Sequence, residues 1–288
     1  MFRNFEQQTV DAAGVEINLV RGGSGPPVLL LHGYPQTHVM WHEVAPILAQ
    51  HFTVVAPDLR GYGDSAKPEA GADHFGYSKR ASAADQAALM TALGFEKFAL
   101  VGHDRGARVA HRLALDHPER VQRLAVIDIV PTYTAFADTD KEKAMGYYHW
   151  FFLSQPFDLP ERLIGGDPVY FLHWCLKSWG GSLDYFSPEA LAEYERCFAD
   201  PAVIHGSCED YRASATIDLE HDAADLTRKI ACPVLALWGN RLDNWYDVAG
   251  VWRSRAESVT SGVLDGGHFL PEEMPEEVAR ALFYFLRI

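Results

Sequence analysis

No stretch of this chain is long and apolar enough to cross a membrane as a helix; its longest hydrophobic runs have the length of single strands. The opening residues, Met1-Phe2-Arg3-Asn4-Phe5-Glu6-Gln7, also lack an apolar run, so no signal peptide is expected. Basic side chains are scarce. Against 39 Asp and Glu there are 25 Lys and Arg, a formal net charge of −14 over 288 residues. That balance argues against nucleic acid or an anionic membrane as a partner. An anionic small molecule would need a local positive site working against the overall field. Cysteine is sparse as well: Cys175, Cys197, Cys208 and Cys232 are scattered without metal-like spacing and read as reduced thiols of a cytoplasmic protein. The 13 histidines include no HExxH pair, so neither a metal nor another cofactor is expected.

What is present is the composition of an ordinary soluble domain, 48% hydrophobic and 22% charged, in a chain long enough for one large α/β domain with a modest insertion. Thr9 to Val20 reads as a hairpin turning at Ala13-Gly14. A glycine-rich turn then leads into the buried strand Val28 to Leu31. A helix is predicted near Trp41 to Ala49, a strand at Thr53 to Ala56, and a helix from about Arg80 to Leu93 that Gly94 ends. The strand Phe98 to Val101, a helix stopped by Pro118 and the strand Leu124 to Ile127 follow. Alternation of this kind predicts βαβ units and a mainly parallel sheet. From Pro131 to about Asp225 strand patterns vanish and aromatic-rich helical segments replace them. Alternation resumes at Pro233 to Trp238 and Val263-Leu264, before a closing helix from about Pro275 to Leu286. The expected organisation is therefore a discontinuous core, residues 1–131 and 226–288, with a helical cap at 132–225 over the carboxyl ends of the strands.

The segment Gly102-His103-Asp104-Arg105-Gly106 joins a buried strand to a helix, with glycines two places either side of the apex. This is the pattern of a nucleophile elbow, where the apex backbone is strained and its neighbours pack closely. The apex residue is Asp104, and a carboxylate there suits displacement at a saturated carbon through an ester intermediate. Arg105 and Arg108, three apart at the start of the helix, share a face beside it; guanidinium forks match a substrate carboxylate and offset its repulsion from Asp104. His268, in the loop Asp265-Gly266-Gly267-His268-Phe269, is placed to act as general base. Two aspartates compete to orient it: Asp128 at the end of one strand, and Asp243 beyond the strand that ends at Trp238.

Taken with His32-Gly33-Tyr34-Pro35 and Asp58-Leu59-Arg60-Gly61-Tyr62-Gly63-Asp64-Ser65, these motifs resemble the α/β-hydrolase superfamily over essentially the whole chain. The resemblance implies a mostly parallel eight-stranded sheet with an inserted helical cap. Within it, His103-Asp104-Arg105-Gly106-Ala107-Arg108, His149-Trp150 and Glu209-Asp210-Tyr211-Arg212 resemble the fluoroacetate (haloacetate) dehalogenases. That likeness implies Asp104 as nucleophile, His268 as base, Asp128 rather than Asp243 as its partner, and Arg105 and Arg108 on the substrate carboxylate. It further implies His149, Trp150 and Tyr211 as donors to the departing halide, the backbone N–H groups of Tyr34 and Arg105 as oxyanion hole, and Trp179 as a further cap residue of the pocket. The expected partner is a small anionic haloacid, and the expected assembly a homodimer. An epoxide hydrolase with the same Asp and His is the nearest rival, since the cap is rich in tyrosine, although Arg105 stands where that family usually has tryptophan. A non-catalytic small-molecule receptor on the same fold is the remote one. Halide preference and the size of a tolerated α-substituent depend on cavity volume, which no motif encodes.

Overall fold

A computed structural model of the chain describes residues 1–287. The hairpin β1 (Phe5–Asp11) and β2 (Glu16–Gly22) turns through Ala13 and Gly14, both at positive φ. It is followed by β3 (Pro27–Leu31), α1 (Val44–Leu48), β4 (Thr53–Pro57), α2 (Lys79–Ala92), β5 (Phe98–His103), α3 (Asp104–Asp116) and β6 (Val121–Ile127). The predicted helix at Trp41 to Ala49 is in fact two pieces, a 3₁₀ turn at His38–Trp41 and then α1. Pro46 explains the break: without an N–H it is accommodated only in the first turn of an α-helix, so α1 starts just before it.

Eight helices then intervene before the sheet resumes: α4 (Thr132–Ala137), α5 (Lys141–Gly146), α6 (Tyr148–Leu153), α7 (Leu159–Gly165), α8 (Pro168–Gly180), α9 (Pro188–Phe198), α10 (Pro201–Ala215) and α11 (Ile217–Ala224). Proline at the first or second position of α7, α8, α9 and α10, with side-chain N-caps from Asp167, Ser187 and Asp200, sets where these helices begin. The chain returns through β7 (Val234–Gly239), α12 (Asn240–Trp245), α13 (Val248–Arg255), β8 (Val259–Leu264), α14 (Leu270–Glu273) and α15 (Pro275–Leu286).

The eight strands form one sheet in the order β1-β2-β4-β3-β5-β6-β7-β8. Pairings of β2 with β1 and β4 are antiparallel, and every pairing from β4 to β8 is parallel. Strands β3, β4, β5 and β7 are buried almost throughout, so they read as continuous apolar runs instead of alternating ones. After β3 the chain steps to one side for β4 and to the other for β5, which opens a crevice beyond their carboxyl ends. The helices between β6 and β7 lie over that end. The two parts are joined by a buried ionic seam in which Lys79 of α2 and Arg105 of α3 both meet Asp210 of α10.

No helix among the described residues is long and apolar enough to cross a membrane. All four cysteines are free; Cys175, Cys197 and Cys208 are buried and Cys232 is partly so.

Candidate active site

Asp104 sits at the apex where β5 turns into α3, at φ +45°, in the left-handed region that an L-residue enters at a cost. The glycines around it are required by contact. A Cβ on Gly102 would meet the backbone of Ala107 at 2.6 Å, and one on Gly106 would meet the carbonyl oxygen of His32 at 2.4 Å. Gly33 makes room in the same way, since a Cβ there would lie 2.5 Å from the Cβ of Asp104. The Tyr34 N–H donates to Asp104 Oδ1 at 2.9 Å, leaving Oδ2 toward the cavity, 3.8 Å from His268 Nε2. The N–H of Arg105, also predicted for an oxyanion hole, lies in the first turn of α3, where no intrahelical acceptor exists. Burial alone would raise the Asp104 pKa, but the charges of His268, His103, Arg105 and Arg108 outweigh it and hold the carboxyl at about 2.

His268 is carried by the loop after β8. Its Nδ1–H donates to Asp128 Oδ2 at 2.5 Å, and Asp128 Oδ1 accepts the Gly239 N–H at 2.9 Å. Asp128 lies just past β6, again at positive φ (+55°), so both aspartates in contact with His268 sit on strained turns at strand ends. Asp243 takes no part in this arrangement: its Oδ1 accepts the Trp238 indole N–H at 2.8 Å. Burial pulls the His268 pKa down, yet the hydrogen bond and charge of Asp128, with Asp104 behind, raise it above the ordinary histidine value.

The backbone around His268 is held by groups that sequence reasoning missed. Glu273 accepts the Gly267 N–H at 2.6 Å and the Phe269 N–H at 2.7 Å, bracketing the histidine. The His268 N–H reaches the Trp179 carbonyl at the end of α8 (3.2 Å), and the His268 carbonyl accepts His103 Nε2–H at 2.7 Å. Burial, with repulsion from His268, lowers the His103 pKa to about 4, so this imidazole is neutral and fixed as a donor. The Glu273 signal was in principle available, as an acid five residues beyond a Gly-Gly-His loop in the first turns after it.

The two arginines, both expected on a substrate carboxylate, do not stand alike. Arg105 is 0% exposed, with Nε donating to Asp210 Oδ2 at 2.7 Å and Nη2 to Asp210 Oδ1 at 2.8 Å and Ser214 Oγ at 2.5 Å. Its fork is therefore spent on a carboxylate from α10, and Nη1 alone remains buried without a partner. Arg108 has no carboxylate partner among the described residues: Nη1 donates to the Val130 carbonyl at 2.8 Å and Nε is left unpaired. Burial lowers the Arg108 pKa and Asp104 raises it, the first effect being the larger. Arginine stays protonated all the same, so this is a buried cation lacking an anion.

Asp104, Arg108, Asp128, His149, Trp150, Trp179 and His268 line a cavity of about 470 Å³ with its mouth included, closed on its outer side by Gly146, Tyr147, Arg241, Leu242 and Trp245. Arg241, on α12, was not anticipated. Arg105 and Tyr211 are next to this lining, the Arg105 guanidinium carbon 4.1 Å from the Tyr211 ring centre and that of Arg108 4.4 Å from the Trp150 ring. His149 on α6 and Tyr211 on α10 have ring centres 5.6 Å apart, Trp150 and Tyr211 5.9 Å. His149 Nδ1 and the Tyr211 hydroxyl are buried without partners. Burial keeps His149 neutral, its pKa well below the ordinary value. Arg105 Nη1, Arg108 Nε and the Tyr211 hydroxyl are thus buried polar atoms without a partner among the described residues, a state that buried donors seldom keep without a ligand or water. Among the described residues no group of three or more His, Cys, Asp or Glu could hold a metal ion.

Comparison with known proteins follows the same lines. A family model described as alpha/beta hydrolase fold matches residues 26–275. The chain is 51% identical to a fluoroacetate dehalogenase of Burkholderia sp, over 99% of this chain and 95% of that one. It is 37% identical to a soluble epoxide hydrolase of Corynebacterium sp. (strain C12), over 92% and 91% of the two chains. The solved structure of ALR0039 from Nostoc sp PCC 7120 superposes with a TM-score of 0.98 at 60% identity, covering 99% of each chain.

Proposed function

The chain belongs to the alpha/beta hydrolase family, and from the geometry of its site we propose that it cleaves the carbon–halogen bond of small haloacetates, turning fluoroacetate into glycolate and fluoride. The observation that carries this reading is an ionised Asp104 sharing one cavity with Arg108, a buried cation that no carboxylate pairs among the described residues. A haloacetate supplies both things that such a pair lacks, an electrophilic carbon for the aspartate and a carboxylate for the guanidinium. The helices between β6 and β7 act as a cap that dries the site and strengthens each of these interactions.

In the first step Asp104 Oδ2 attacks the halogen-bearing carbon; the new C–O bond forms as the C–X bond breaks, and its electron pair leaves on the halide. Arg108, with Nη1 of Arg105, holds the carboxylate. His149, Trp150 and Tyr211 donate to the halide as its charge develops, and Trp179 walls the pocket. Each charge-assisted hydrogen bond contributes about 1.5–3 kcal/mol, enough together to remove a large part of the barrier to a poor leaving group. In the second step His268 takes a proton from water as its oxygen adds to Cγ of the ester. Charge then builds on Oδ1, where the Tyr34 N–H already sits and the Arg105 N–H completes the hole. Collapse breaks the Cγ–Oδ2 bond, His268 returns its proton to the glycolate oxygen while Asp128 stabilises the imidazolium between the two transfers, and the carboxyl left on Asp104 loses the second water proton to solvent.

Exposed Phe157, Tyr170 and Trp174 on the outer face of the cap support the homodimer reading, and four free cysteines support a reducing compartment such as the cytoplasm. The test of the function is ion release from fluoro-, chloro- and bromoacetate beside hydrolysis of a neutral aryl epoxide. Halide should appear and diol should not. Diol formation with all three haloacetates inert would overturn the reading in favour of an epoxide hydrolase, whose neutral substrate has no use for Arg108.

A further inference from the structure

Arg241 is half-buried on α12, at the outer wall of the cavity, and nothing in the two-step reaction uses it. Its guanidinium carbon lies 4.6 Å from the centre of the Trp245 ring, one turn further along the same helix. The Trp245 indole N–H in turn donates to Glu142 of α5 at 3.2 Å, so this carboxylate is engaged by the tryptophan. Gly146 at the end of α5 packs directly on this pair: a Cβ there would fall 2.1 Å from the Trp245 ring and 2.7 Å from Arg241 Nη2. Among the described residues no carboxylate lies within 4.0 Å of the Arg241 guanidinium. The side chain is thus held in place by stacking and by contact with the cap, while its charge is left unneutralised.

Two carboxylates, Asp104 and Asp128, and two guanidiniums, Arg108 and Arg241, line the cavity. Arg105 and Lys79, outside the lining, are balanced by Asp210 and Asp218. With neutral His268 the lining therefore sums to zero. Without Arg241 it would be negative, in a chain whose overall charge of −14 already repels anions. A second carboxylate on the substrate would tip the filled site to two negative charges, so the balance fits a monoanion.

On the haloacid reading above, we propose that Arg241 is a specificity-determining residue at the cavity mouth, which draws monoanionic substrates in and sets their KM without acting on the chemical step. Arg241→Met keeps the stem against Trp245 and removes the charge; Arg241→Lys keeps the charge. For chloroacetate the Met variant should lose about tenfold in kcat/KM, almost all of it as a raised KM, with kcat within about twofold of wild type. The Lys variant should stay within about threefold. Raising salt from about 20 mM to about 500 mM should lower kcat/KM of the wild type and leave that of the Met variant nearly flat. Equal KM and equal salt slopes in wild type and Met variant would overturn the proposal. So would a Lys variant as impaired as the Met variant, or a loss confined to kcat. Acetate affinity, read from the fluorescence of the cavity tryptophans, separates this proposal from the function it rests on. Arg241-dependent acetate binding in a protein inert to every haloacetate would retain the mouth cation and remove the dehalogenase. Acetate affinity unchanged in the Met variant, or no acetate binding by the wild type, would remove the mouth cation.

Discussion

Replacing His268 with glutamine should stop turnover after a single halide per site and leave the protein esterified. Displacement by Asp104 needs no base, so the first step survives. Hydrolysis of the ester needs a group to take a proton from water, and glutamine cannot. Steady-state halide release should fall on the order of 10⁴-fold or more, as when other members of concerted catalytic sets are removed. Intact-mass measurement after chloroacetate should show a gain of about 58 Da, the glycolyl ester, localised to the peptide bearing Asp104. Turnover at the wild-type rate, or loss of activity without any adduct, would contradict the assigned roles. The same residue fixes the acid limb of the pH profile. Only neutral imidazole accepts a proton, and Asp128 raises the His268 pKa, so turnover should decline as pH falls through a value above 6.5. Asp128→Asn removes the raising influence and should move that limb to lower pH.

Replacing Arg108 with leucine should abolish most activity on haloacetates while the fold holds. Its partners are a backbone carbonyl and, more distantly, the Thr132 hydroxyl at 3.4 Å, so no buried carboxylate is orphaned. The substrate, by contrast, loses the one cation deep in the cavity that no carboxylate pairs among the described residues. Breaking a buried charge pair costs about 3–5 kcal/mol, or roughly 10²–10⁴-fold in kcat/KM. Arg105→Leu should behave in the opposite way. It leaves Asp210 facing Lys79 and the Tyr62 hydroxyl without its bidentate partner, so loss of thermal stability should accompany or exceed the loss of activity. Thermal melts run beside halide assays separate the two. An Arg108 variant that melts far below wild type, or an Arg105 variant that is stable and merely slow, would reverse the division of labour drawn here.

That division was beyond the reach of the sequence. Spacing of three residues correctly puts Arg105 and Arg108 on one helix face, but their difference comes from Asp210, which lies 105 positions downstream on another helix. The elbow was legible because it is local: strand, strained apex and obligatory glycines are all contained in Gly102 to Gly106. The loop of His268 was legible for the same reason. The partner of His268 was contested because Asp128 and Asp243 both follow strands. Trp238 decides the geometry by engaging Asp243 on a short helix that no periodicity announced. Arg241 was hidden by the same short helix, as six residues give too little pattern to read. The overall sheet was the easiest part, since buried parallel strands declare themselves as apolar runs, whereas Pro46 had to be weighed to see that one predicted helix was two.

The most direct measurement is a single turnover in water enriched in heavy oxygen, with protein in excess over chloroacetate. If Asp104 forms the ester, the alcohol oxygen of the first glycolate comes from the aspartate and is light, and the heavy atom appears in the Asp104 carboxyl instead. Heavy oxygen in the first glycolate, with an unlabelled Asp104, would mean that water attacks the carbon directly and would contradict the covalent step on which the whole assignment turns.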